Sequence, residues 1–265
     1  MTKLLFIGDI VGESGRKAIA AALPGLREEH QPDFVIVNGE NAAGGIGITE
    51  KIARELFAQQ VDVITLGNHS FRQRDVYSYL NSEQRIVRPI NYHKGNPGHG
   101  AAIVENNGIR LGVINLAGVV AMDQAGSPFD AIDQALPELD RQVDLVLVDF
   151  HAETTSEKVA IGWYLDGRVA AVVGTHTHVP TADARILPDG TAVISDVGMT
   201  GSCAGVIGVV KEAVITRMRT GMPAKFEPAT GDEHVMGVVI EVARDGKASS
   251  IEPFVMPVEI KLSVA

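Results

Sequence analysis

Leu4-Leu5-Phe6-Ile7-Gly8-Asp9 (LLFIGD) reads as a short buried strand that stops at a glycine and places a carboxylate just past its end. A loop, GESG (residues 12–15), and an alanine-rich helical segment (16–23) follow, with Ser14 placed to cap the helix and Pro24-Gly25 to end or distort it. The unit then recurs. Residues 34–37 form a second apolar run that closes on Asn38, Gly39, Glu40 and Asn41, and a glycine-rich loop (42–48) leads to Thr49, the expected cap of a helix running to Gln60. Residues 61–66 close on Gly67, Asn68 and His69, ahead of a polar, helical stretch over 73–80. Strands alternating with helices argue for a largely parallel α/β sheet, and such sheets place ligands beyond the carboxyl ends of their strands.

Further along, residues 101–104 and 111–115 read as a hairpin turned at Asn106-Asn107-Gly108. A helix is expected over 130–139. A strand over 145–150 carries His151 at its end, and a helix over 157–164 would be capped by Thr155 or Ser156, with Trp163 and Tyr164 packed on the core. The run 169–173 is another buried strand, closed by GTHTHVP (174–180); if the backbone stays extended there, His176 and His178 share a face. Hairpins around Pro188-Asp189-Gly190 and Arg244-Asp245-Gly246 make the last third mainly antiparallel, which points to a second sheet packed on the first.

Bulk properties narrow the classes of function. The 265 residues are 45% hydrophobic, enough for a substantial core, and carry a formal net charge of −10. That field disfavours an extended nucleic-acid groove or an anionic membrane surface. A single cysteine, Cys203, rules out a disulfide framework or a cysteine-rich zinc site. With no long apolar stretch, the expectation is a cytoplasmic protein. The glycines of GDIVGESG (8–15) are not followed by GK[ST], so a phosphate-binding P-loop is not expected. His93 and His99 are expected to face solvent.

Five strand ends thus offer Asp9; Glu40 with Asn41; Asn68 with His69; His151; and His176 with His178. Mixed imidazole and oxygen donors suit iron, manganese or zinc better than calcium or magnesium. Such a set can support a two-metal site that clamps the oxygens of a phosphoryl transfer.

With GD at 8–9, GEN at 39–41, GNH at 67–69, DFHAE at 149–153 and GTHTH at 174–178, the chain resembles the YmdB-like metallophosphoesterases of the calcineurin-like phosphoesterase superfamily. The resemblance implies two packed β-sheets flanked by helices, a four-layer α/β/β/α sandwich, as a single domain over residues 1–265. It implies two transition-metal ions per chain, iron first, then manganese or zinc. Asp9, Asn41 and His178 would hold one ion, Asn68, His151 and His176 the other, with Glu40 bridging. His69 would be the catalytic residue, beside the ions without binding either, placed to protonate the leaving oxygen or to stabilise the transition state. The implied activity is phosphodiester hydrolysis of 2′,3′-cyclic nucleotides by a metal-bound hydroxide. Two positions depart from the general superfamily pattern: Val11 stands where a histidine is usual, with Asn41 in compensation, and Ser70 where an acidic residue often follows the histidine. A phosphomonoesterase or nucleotidase on the same site, or a slow-turnover nucleotide sensor, are the alternatives. Most soluble oligomers are symmetric homomers, so a homo-oligomer is the general expectation.

Overall fold

The LLFIGD segment is a strand, Thr2–Ile7, near the middle of the larger of two sheets in the structure, a computed structural model that describes residues 1–122 and 125–260. Phe34–Asn38 pairs parallel with it, Leu4 opposite Phe34 through Ile7 opposite Val37, and Val63–Thr65 and Ile86–Val87 continue the parallel order. On its other side Glu233–Val242 runs antiparallel to it and pairs in turn with Ala248–Pro257. The second sheet runs Arg185–Ile186, Ala192–Ile194, Ala171–Thr175, Leu145–His151, Ile109–Ala117, Ala101–Asn106. Its four inner strands are mutually parallel, with antiparallel hairpins at the two edges.

The two-residue period of the strands builds the layers. Leu4, Phe6, Phe34 and Ile36 point one way and form a single core with Leu111, Val113, Leu147 and Val173 of the second sheet. Leu5, Ile7, Val35 and Val37 point the other way, onto the helices Gly12–His30 and Glu50–Ala58. Ile114, Val146 and Val148 likewise meet the helices Pro128–Leu139 and Thr155–Tyr164. The fold is therefore the expected α/β/β/α sandwich, and full burial of each large apolar side chain contributes about 1.5–3 kcal/mol.

Several local expectations need correction. The second sheet is built from the middle of the chain, while the antiparallel pair after residue 231 joins the first sheet, where Val238 and Ile240 complete the inter-sheet core. The first helix starts at Gly12 with Val11 in the cap position, and Ser14 lies buried inside it, donating to Glu233 Oε1. It continues through Pro24 to His30, because Ala18, Ile19, Leu23 and Leu26 bury a face against the sheet that outweighs the lost hydrogen bond. Thr154, not Thr155 or Ser156, precedes the helix over 155–164, its hydroxyl donating to Glu157. Residues 73–80 split into a 3₁₀ turn, Arg74–Val76, and a short helix, Tyr77–Ser82. Trp163 and Tyr164 are exposed, on the outer side of their helix against Arg185 and Arg168. Thr49 does cap its helix, accepting from Ile52 N. The turn at Asn107 and Gly108 has positive φ at both residues (50° and 76°), the geometry that matches strand twist in a tight hairpin. Among the described residues no helix is long and apolar enough to cross a membrane.

Candidate active site

All eight singled-out side chains lie at the carboxyl edge of the two sheets, where strand ends from both layers face one another. Asp9, Glu40, Asn41 and His151 are buried, and His69, His176 and His178 are half-buried and line a cleft of about 450 Å³. A separate hollow of about 270 Å³, lined by Asp140, Asp144 and Asp189, contains none of them.

The contacts sort these residues into two groups. His151 Nε2 lies 3.0 Å from Asn68 Oδ1, 3.0 Å from His176 Nδ1 and 3.2 Å from Glu40 Oε2. Donor atoms of Glu40, His151 and His176 all fall within 4.8 Å of one another, close enough to share a cation. Beside them, His178 Nε2 lies 3.2 Å from Asn41 Nδ2 and 3.8 Å from Asp9 Oδ1. His69 joins from the cleft side, with Nδ1 2.7 Å from Asn41 Oδ1 and 3.2 Å from Glu40 Oε1, while its backbone N–H donates to Glu40 Oε2. Close approach at the centre needs Gly67: a Cβ there would sit 2.3 Å from His151 Cδ2 and 2.4 Å from Glu40 Oε2.

GTHTH corrects the extended reading. The strand ends at Thr175, and His176 (φ 97°) and His178 (φ 65°) both occupy left-handed backbone, a costly conformation for non-glycine residues. Their rings therefore diverge, His176 toward His151 and His178 toward Asp9. What holds this turn is Asp196, whose Oδ2 accepts from Thr177 N (3.1 Å), Thr177 Oγ1 (2.7 Å) and the buried Lys158 Nζ (2.8 Å). Asp9 Oδ2 accepts from His176 N.

Each of the three imidazoles turns one nitrogen inward and engages the other outside. Thr175 Oγ1 donates to Asp149 Oδ1 at 2.7 Å, so His151 Nδ1 donates to Thr175 at 2.8 Å. His176 Nε2 meets Glu153 Oε2 at 3.1 Å, and His178 Nδ1 donates to Ile207 O at 2.9 Å. Partners of this kind fix the tautomer and aim of metal-binding histidines. At the centre, Asp9 Oδ1 and Glu40 Oε1 are buried and accept no hydrogen bond. Two orphaned carboxylate oxygens facing three aimed imidazoles fit cations, since buried charge otherwise requires a partner.

The protein's own charges reinforce this. Burial pushes Asp9 up from the ordinary carboxylate range. Burial would raise Glu40 too, but His151 and His69 beside it carry it well below that range. Burial alone would depress His151, yet the carboxylates of Glu40, Asp9 and Asp149 raise it to about 9. Burial, then His151, lower His176 to about 3, so His176 stays neutral and its Nδ1, 3.0 Å from His151 Nε2, is an acceptor.

Glu153, Thr175, Asp149 and Asp196 carry no role in the sequence reading. Asp149 is within its reach, because it lies two residues before His151 on the same strand, and alternate residues share a face. His93 is exposed, His99 bonds Asn81 O, and neither lines the cleft.

A profile of the YmdB-like protein family matches residues 5–254. Over 240 residues, 91% of each chain, the sequence is 46% identical to the Bacillus subtilis (strain 168) protein named 2′,3′-cyclic-nucleotide 2′-phosphodiesterase. The crystal structure of a hypothetical protein from Thermus thermophilus superposes with a TM-score of 0.91 at 42% identity, covering 97% of this chain and 99% of that one. That of a novel phosphatase from Mycoplasma pneumoniae gives 0.90 at 37% identity, covering 97% and 93%. With nearly its whole length matched in sequence and in fold, the chain belongs to the YmdB-like protein family.

Proposed function

We propose that this chain, a phosphoric ester hydrolase, is a metal-dependent phosphodiesterase that opens 2′,3′-cyclic nucleotides, with residues 1–265 acting as one domain. The observation that carries the metal dependence is the inward aim of three imidazoles onto two buried carboxylate oxygens without hydrogen bonds. The substrate class follows from the name and 46% identity of the Bacillus relative. In this reading Asp9, Asn41 and His178 hold one transition-metal ion, Asn68, His151 and His176 a second, and Glu40 lies between them. When bound, the ions supply positive charge and Lewis acidity at the phosphate.

The remaining chemistry belongs to the chain. His69 has Nδ1 hydrogen-bonded to Asn41 Oδ1 and 3.2 Å from Glu40 Oε1, which leaves Nε2 to pass a proton to the departing ribose oxygen. His176, neutral and held by Glu153, keeps its lone pair directed inward. The half-buried cleft limits water around the reacting phosphate and strengthens each electrostatic contact there.

Purified protein should retain iron, manganese or zinc by elemental analysis. Chelation should abolish hydrolysis of 2′,3′-cyclic AMP, and manganese or iron should restore it. A folded protein that takes up no transition metal and leaves cyclic diesters, linear diesters and monoesters intact would falsify the reading. Faster turnover of monoesters than of cyclic diesters would reassign the site to a nucleotidase.

A further inference from the structure

The cleft has a second half that the phosphate chemistry does not use. Besides the imidazoles and carboxylates, Ile46, Ile207 and Phe226 line its wall, 40%, 48% and 44% exposed, with Glu227 next to Phe226. This wall is built rather than left over. Val210 N donates to Glu227 O, Ala229 N donates to Gly208 O, and Val209 bridges Pro228, so the segments around 207–210 and 226–229 are laced together. Pro228 in turn backs the glycine loop, 3.1 Å from where a Cβ on Gly45 would stand.

Ile207 is the clearest sign of purpose. Its φ is 45°, left-handed backbone that a β-branched residue adopts only under constraint. The constraint is visible: its carbonyl accepts from His178 Nδ1, so the residue that aims a candidate ligand also presents an aliphatic side chain to the cleft. Phe226 has the Arg217 guanidinium over its ring at 5.1 Å, and it lines the cleft as well. One face of the ring is thus covered by a cation, and the ring still offers apolar surface to a ligand. The cleft volume lies within the range of about 300–1,000 Å³ found for small-molecule sites.

We infer that Phe226, with Ile207 and Ile46, forms a nucleobase subsite, in which the base stacks on an apolar wall while the phosphate faces the imidazole and carboxylate cluster. This inference rests on the proposed phosphodiesterase reading for its reaction, but not for its binding. An aromatic and aliphatic wall holds a base through its π-face, so it selects nucleosides over base-free esters and discriminates weakly among bases.

The test compares kcat/KM for 2′,3′-cyclic AMP with that for glycerol 1,2-cyclic phosphate, a cyclic diester without a base. In Phe226→Ala the nucleotide-to-glycerol ratio should fall about tenfold or more, the scale of one lost stacking contact. Phe226→Tyr, which keeps the ring, should keep the ratio near the parent's. An unchanged ratio in Phe226→Ala overturns the subsite. A binding arm needs no turnover: in Phe226→Trp, AMP should quench the added indole fluorescence and ribose 5-phosphate should not. Quenching by AMP in a protein that hydrolyses neither diester keeps the subsite and removes the phosphodiesterase reading. Equal quenching by both ligands, or by neither, removes the subsite.

Discussion

His69 and Glu153 illustrate two ways a side chain can matter at this centre. His69 faces the cleft, and its Nδ1 is anchored by Asn41 Oδ1. His69→Ala should lower kcat on a 2′,3′-cyclic nucleotide by about 10²–10⁴-fold, the usual contribution of a general acid. Elemental analysis should find its metal content close to the parent's; parental turnover would remove the role. Glu153 acts through His176, whose Nε2 lies 3.1 Å from Glu153 Oε2. Losing such a partner typically costs about 10–100-fold in metal affinity. Glu153→Ala should therefore need correspondingly more manganese for half-saturation in an equilibrium titration, and an unshifted curve would make Glu153 a bystander. The contrast also explains what can be read in advance. Asp9, Glu40, Asn68 and His151 follow apolar runs directly, so position alone marks them. Glu153 finds its partner only when the turn after Thr175 folds back, and nothing local in DFHAE announces that contact.

At the level of elements, the turn over 176–178 depends on a buried pair. Lys158 Nζ and Asp196 Oδ2 are 2.8 Å apart with side chains 3% and 1% exposed, and the same carboxylate oxygen holds Thr177. Asp196→Ala would strand the ammonium of Lys158 in the interior and release two left-handed histidines. Removing one partner of a buried pair costs about 3–5 kcal/mol. Urea unfolding should show a loss of that size, and a loss below about 1 kcal/mol, the scale of an exposed pair, would mean the pair is not what secures the turn. Strands are the most legible elements, since runs such as FVIV and LVLV are apolar on both faces and only a sheet covered on both sides uses them. Caps and partners are less so. Ser14 has the right chemistry for a cap, but Gly12, at φ 61°, opens the helix two residues earlier. The Glu233–Val242 strand has the same alternating apolar character whichever sheet it joins, and only pairing with Thr2–Ile7 decides the matter.

For the whole molecule, the site is where the two sheets are tied or left apart. Asp9, Glu40, Asn41 and Asn68 follow strands of the first sheet, and His151, His176 and His178 end or follow strands of the second. Between the sheets lies an apolar core with Phe6, Phe34 and Leu147 wholly buried. At its carboxyl edge that core gives way to two carboxylates, Asp9 and Glu40, facing across the layers. Burial pushes Asp9 toward its neutral form, a sign that negative charge is costly at this edge. A cation held by residues from both sheets would offset that cost and cross-link the layers. At a free metal concentration about a thousandfold above the dissociation constant, binding adds about 4 kcal/mol to folding stability. For a chain of this size that corresponds to a rise in Tm of about ten degrees. Chelated protein should therefore melt about ten degrees below the same protein supplied with manganese, and Glu40→Gln should lose most of the difference because its oxygens face both groups. Coincident melting curves for chelated and manganese-loaded protein would show that the edge of the sandwich holds no structural charge deficit and that its stability rests on the apolar core alone.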